Sequence, residues 1–180
     1  GVAAGARVAI LSRIRLAWVA ADLAVLKAAG CTVPVHTDAI VEHVQHVLTD
    51  SDATVVFVEN EKQLAKVRQI LSATRIRKVV LMGGPARGPG EVRWEELLGA
   101  GRVHQAEFPG SLGTRTRGLQ SASLASIVYT AGTTGMPKGV MLTHDNFVFE
   151  AEALATVMGN VITADDMHLL CLPLSHVLAR

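Results

Sequence analysis

The sequence predicts an α/β fold, a doubly wound, mostly parallel sheet with helices on both faces. Three observations carry this. Apolar runs at residues 8–11, 54–58 and 78–82 are continuous rather than alternating, as in strands buried on both faces. Segments with a helical apolar period lie between them. These intervals are long enough for the crossovers that parallel neighbours need.

Taken in order, residues 8–11 read as a short buried strand. Residues 15–29 read as a helix that is apolar nearly all round and therefore deeply buried, with Gly30 as its C-terminal stop. Residues 32–35 are extended, and Pro34 removes a ladder donor, which favours a sheet edge or a strand end. Ile40, Val41, Val44, Val47 and Leu48 form one helical stripe. After the strand at 54–58, Asn60 with Gln63 makes a capping box for a helix that buries Leu64, Val67, Ile70 and Leu71. From Gly83 to about Ser123 the chain is rich in Gly, Pro, Ser and Arg. It reads as a long surface connection with one short helix at 94–98. Strand character returns at 126–130, a helix runs from about Asp145 to Met158, and a last strand at 168–172 ends at Pro173. No fixed-period repeat or low-complexity tract is visible.

Composition narrows the class. Apolar residues make up 49% and charged residues 18% of the 180 positions, against roughly 25% charged in an average domain. Mean hydropathy is +0.33. The longest apolar run, 16–26, is broken by Asp22 and followed by Lys27, and it falls short of the ~20 residues a bilayer span needs. The surplus apolar surface therefore points to faces that pack on missing parts of the same chain. Residues 1–180 are expected to be a partial domain, truncated at both ends. No targeting segment is visible. A net charge of +1 argues against a nucleic-acid partner. Cys31 and Cys171 lie far apart in apolar runs, which reads as buried thiols in a reducing, cytoplasmic compartment.

The stretch 129–140, YTAGTTGMPKGV, carries the chemistry. A buried strand delivers the chain to Gly132. Gly132 and Gly135 let the backbone bend and approach an anion. Thr133 and Thr134 add hydroxyl donors, Pro137 stiffens the exit, Lys138 supplies a compact cation and Gly139 keeps the backbone bare. Multiply charged phosphates need that set. The Walker A order of adjacent Gly-Lys followed by Ser or Thr is not present.

This stretch resembles the phosphate-loop signature of the adenylate-forming superfamily, Tyr-Thr-Ser-Gly-Thr-Thr-Gly-x-Pro-Lys-Gly-Val, with Ala131 where serine is usual. Residues 26–36 (LKAAGCTVPVH) and 172–177 (LPLSHV) resemble two further family segments, in the family's order. LPLSH, with MLTHDN after the loop, is most similar to the long-chain acyl-CoA synthetase branch. The resemblance implies a two-step reaction. ATP activates a fatty acid to acyl-AMP with release of pyrophosphate, and the acyl group then passes to coenzyme A. It implies that Thr130, Ala131, Gly132, Thr133, Thr134, Gly135 and Lys138 hold the ATP phosphates, that Mg²⁺ travels with ATP, and that His176 lies beside the acyl carboxylate or adenylate. An acyl-AMP ligase or another adenylation domain shares the loop. A non-catalytic piece is the other reading, since the family's later motifs and mobile C-terminal domain are missing. Long-chain substrates leave room for peripheral membrane contact.

Weaker signals are read as structure. His43 and His46 share a solvated helix face without a cluster that would complete a metal site. His144 and Asp145 mark a helix start capped by Thr143 or Asp145. Ser175–His176 lacks a hydrolase elbow. Arg115 and Arg117 read as a solvated loop, and Phe147 and Phe149 as packing.

Overall fold

The computed structural model describes residues 2–130, 135–159, 161, 163, 165–167 and 172–176. Its elements are β1 (Arg7–Leu11), α1 (Leu16–Lys27), β2 (Cys31–Val35), α2 (Val41–Asp50), β3 (Val55–Val58), α3 (Glu61–Ile70), β4 (Lys78–Leu81), β5 (Glu91–Arg93), α4 (Trp94–Glu107), α5 (Ser111–Arg117), β6 (Leu124–Thr130), β7 (Lys138–Thr143) and α6 (His144–Met158). One seven-stranded sheet runs in the order β5-β4-β3-β1-β2-β6-β7. The five pairings from β5 to β6 are parallel, and β6 with β7 is antiparallel. The chain steps from β1 outward to β2, then crosses back past β1 to β3. That reversal makes the sheet doubly wound, and the carboxyl ends of β1, β2 and β3 flank the crevice it leaves.

Both faces are covered. Ala9, Leu11, Val33 and Val56 face Val44, Val47 and Leu48 of α2 and Leu64, Val67 and Ile70 of α3. Val8, Ile10, Phe57 and Val80 face Trp18, Ala21 and Val25 of α1, with Trp94 of α4 beside them. The stripe on α2 explains why that segment is a helix at all. Burying each of Val44, Val47 and Leu48 contributes roughly 1.5–3 kcal/mol. A charge at Val44, which is fully buried, would remove that gain and add a desolvation cost.

Several expectations need correction. Helix α1 buries one side only; Leu16 and Leu23 are 85% and 55% exposed. Its left-handed stop is Ala29 (φ 60°), whereas Gly30 is required by close approach, because a Cβ there would lie 3.0 Å from Val25 Cγ1 and 3.2 Å from the Ala6 carbonyl. Pro34 sits in a central strand. The β1 side of β2 is paired through five residues, but pairing to β6 is recorded at Thr32↔Ser126 alone, so the missing N–H interrupts little. Asn60 caps α3 through Oδ1 and the Gln63 N–H, but Gln63 Nε2 donates to the Thr37 carbonyl instead of returning to Asn60. The Gly/Pro-rich stretch after β4 contains β5, which extends the sheet, and two helices, α4 and α5. Arg115 on α5 donates to the Val2 carbonyl, which ties that helix to the start of the chain.

At the other edge, β7 follows the Gly/Thr loop directly and turns it into a hairpin. Thr143 caps α6 and receives the Asn146 N–H. Among the described residues α6 buries none of its side chains, and Phe149 is 71% exposed, so the packing expected of it is not seen. Residues 168–171 of the expected last strand, Cys171 among them, lie outside the described residues. Cys31 is buried, as expected. No described helix is long and apolar enough to cross a membrane.

Candidate nucleotide-phosphate site

Because β1, β2, β3 and β6 run parallel, their carboxyl ends open on one rim of the sheet. Ligands in open α/β sheets bind at such a rim, next to the point where strand order reverses. Two cavities lie there. One, about 280 Å³, is lined by His36, Ala39 and His43 on the α2 side and by Tyr129, Thr130, Gly135 and Pro137 on the hairpin side. The other, about 230 Å³, is lined by Ser12, Arg13, Asp38, Leu174 and Ser175 among others. His36 borders both.

The hairpin is built from its sequence. Thr130 and Lys138 are cross-strand partners, as are Tyr129 and Gly139. This sets Thr130 and Lys138 opposite each other where the loop leaves the sheet. Gly135 adopts φ 93°, a conformation that side-chain-bearing residues rarely take. Gly139 answers a different need: a Cβ there would lie 2.8 Å from Ile127 Cγ2 and 3.1 Å from the Tyr129 ring. The ring lies over the bare backbone opposite it. Its hydroxyl donates to Asp50 Oδ2 at 2.6 Å, at the end of α2. Burial, with Asp50 as the acceptor, pushes the Tyr129 hydroxyl well above the usual phenol range, so it remains a donor. Four residues earlier on α2, His46 Nε2 lies 2.9 Å from the Pro137 carbonyl, and its ring meets the Tyr129 ring edge-on at 6.2 Å.

Arg13, which lines the second cavity, is held from behind by Glu59. The Arg13 guanidinium pairs with Glu59 at 3.1 Å, and the Arg13 N–H donates to Glu59 Oε2 at 3.0 Å. Burial drives the Glu59 carboxyl up, but the hydrogen bonds from Arg13 outweigh it and hold the group below its ordinary range. Lys66 donates to the carbonyls of Thr37 and Ala39 at 2.7 and 2.8 Å, fixing the turn after β2. Burial, with Lys62 nearby, lowers the Lys66 pKa. Ser175 Oγ lies 2.8 Å from His36 Nδ1.

The structure brings Thr130 and Gly135 to one cavity and sets Lys138 at the solvent-exposed start of β7. Ala131, Gly132, Thr133 and Thr134 lie outside the described residues. His176 is exposed, directly after the buried Leu174 and Ser175, which seat residues 172–176 against the sheet. His43 and His46 are half-buried against the hairpin rather than solvated. The signal that would have found this was their i, i+3 and i, i+4 spacing with Val47 and Asp50, which points one side of α2 toward a neighbour. Among the described residues no three His, Cys, Asp or Glu side chains gather as a metal cage.

Comparison with known proteins agrees with this architecture. The family model described as AMP-binding enzyme matches residues 1–180. A long-chain-fatty-acid–CoA ligase of Mycobacterium bovis is 36% identical over 181 residues, which take in 100% of this chain and 29% of that protein. The Drosophila melanogaster long-chain-fatty-acid–CoA ligase heimdall is 31% identical, over 91% of this chain and 24% of its own length. The crystal structure of a long-chain-fatty-acid–CoA ligase from Archaeoglobus fulgidus superposes with a TM-score of 0.73 at 25% identity, covering 99% of this chain and 33% of the other. The chain thus spans less than a third of the length of the curated relatives it matches. With its whole length matched by the family model, the chain belongs to the AMP-binding enzymes.

Proposed function

We propose that these residues form the ATP-phosphate-binding portion of a ligase that activates a long-chain fatty acid and transfers it to coenzyme A. The observation that carries this is the cross-strand pairing of Thr130 with Lys138 at the mouth of a cavity on the carboxyl rim of the sheet. The relatives' names supply the substrate class.

In the first step a carboxylate oxygen of the fatty acid attacks the α-phosphorus of ATP. The bond from that phosphorus to the bridging oxygen breaks, and pyrophosphate leaves. In the second step the sulfur of coenzyme A attacks the acyl carbon, AMP leaves, and the thiol proton passes to solvent. The chain's contribution to the first step is positioning and charge neutralisation. Thr130 and Lys138, with the backbone from Ala131 through Gly135, would grip the β- and γ-phosphates. His176 would stand at the acyl end, carried by the segment that Ser175 anchors. Mg²⁺, a hard cation that binds through substrate phosphates with one or two carboxylates, fits a site where the phosphate oxygens do most of the holding. A cytoplasmic setting with peripheral membrane contact belongs to the same proposal.

The test is ATP–pyrophosphate exchange dependent on a fatty acid, measured on a polypeptide that extends these residues to the relatives' length. Lys138→Ala should lower exchange by roughly 10–150-fold, the effect of losing a charged hydrogen bond in the transition state. Fatty-acid-dependent exchange that ignores Lys138 would sink the assignment. The 180 residues alone should show no exchange.

A further inference from the structure

We propose that His46 is a positioning residue for the phosphate-binding hairpin, and that α2 acts as its strut. The proposal rests on the reading of residues 129–140 as that hairpin.

Residues one helical turn apart share a helix face. On α2, His46 and Asp50 have this relation, and each holds one arm of the hairpin. Asp50 accepts from Tyr129 on the strand entering the loop, at 2.6 Å. His46 meets the carbonyl of Pro137, the residue just before the strand that leaves the loop, at 2.9 Å. A carbonyl can only accept, so Nε2 of His46 carries the hydrogen. The His46 ring also abuts the Tyr129 ring edge-on, coupling the two ties. The helix itself is fixed by Val44, Val47 and Leu48, which are buried in the core. The two arms pair with each other along the β6–β7 ladder, and the two ties add a rigid outside support at the ladder's loop end.

This matters because Thr130 and Lys138 are the residues next to the two tied positions. Freeing Pro137 would let the loop end of the ladder fray at the Thr130–Lys138 pair and blur the placement of the positive charge offered to a phosphate. His46 would touch no phosphate itself, so its effect belongs to geometry.

The experiment is hydrogen exchange on the polypeptide extended to the relatives' length, without nucleotide, which does not depend on turnover. His46→Ala should speed amide exchange over residues 130–139 severalfold and leave the peptides of β3 and β4 unchanged. His46→Gln, which restores an N–H donor, should return the hairpin to near the parent rate. If the alanine variant fails to fold, His46→Phe replaces it, keeping a ring without a donor; the hairpin should then exchange fast in the phenylalanine variant and slowly in the glutamine one. Unchanged hairpin exchange in the alanine or phenylalanine variant, or a rise spread over the whole chain, overturns the strut. A failed exchange assay for fatty-acid activation would instead strike the proposed reaction and leave this result standing.

Discussion

Ser175 Oγ lies 2.8 Å from His36 Nδ1, joining two residues 139 positions apart. His36 closes the end of β2 and lines both cavities. Ser175 precedes His176 and is itself buried. The bond therefore fixes the segment that carries His176 to the rim where Thr130 ends its strand.

His36→Ala and Ser175→Ala should each cost about 0.5–1.5 kcal/mol in urea unfolding. Removing both should cost little more than removing one, because they share the bond. Additive losses in the four-protein cycle would show that the pair does not interact.

Gly139→Ala should be destabilising by about 1–3 kcal/mol, the usual cost of forcing an extra carbon into a packed site. The clash is specific, with Ile127 and the Tyr129 ring. Displacing the ring would also stretch the Tyr129–Asp50 bond. Thermal unfolding of Gly139→Ala beside Tyr129→Phe separates the two losses. A neutral Gly139→Ala would mean that the ring moves freely.

How far this could be read in advance varied with the physics of each element. The buried parallel strands were legible because continuous apolar runs such as residues 54–58 have few other uses in a chain of this period. Strand β7 was not. Its sequence, KGVMLT, alternates weakly, is mostly exposed and owes its conformation to pairing with β6. The strand β5 has three residues, EVR, and lies at the sheet edge, so little burial pattern marks it. At the site, the loop's residue types are what suggested the phosphate cradle proposed above. The supports from α2 were hidden, because His46 and Asp50 have meaning only once β6 and β7 lie beside them. Gly139 was legible as a glycine that mattered, but its packing against Ile127 and the Tyr129 ring was not, because it depends on the pairing of β6 with β7.

Ala131 replaces the serine usual in the resembling signature, and it falls outside the described residues. A hydroxyl on a charged phosphate contributes about 1.5–3 kcal/mol, while the backbone N–H is unaffected by the change. Ala131→Ser in the extended polypeptide should therefore raise pyrophosphate exchange roughly 10–150-fold if the bond forms only in the transition state. No gain would mean that the hydroxyl has no part in the step here.

Acid should loosen the edge of the sheet at Glu91. Its side chain is 2% exposed and accepts from Arg68 Nε and Nη2 at 2.7 and 2.9 Å and from the N–H groups of Arg87 and Gly88 at 2.9 and 2.8 Å. The Arg68 side-chain bonds, against the cost of burial and with help from the two backbone donors, lower its pKa to about 2 from the ordinary 4.5. A depressed folded-state pKa stabilises fully above the unfolded value, and that stability is lost as pH falls through the folded one. The window therefore runs from about 4.5 down to about 2. Arg68 is 37% exposed, so solvent screening trims the contribution to about 2 kcal/mol. Glu91→Gln should lose about that much at neutral pH in urea unfolding. The gap from the parent should close as pH falls toward 2. A gap that stays constant across this range would show that the carboxylate charge is not what holds β5 to α3.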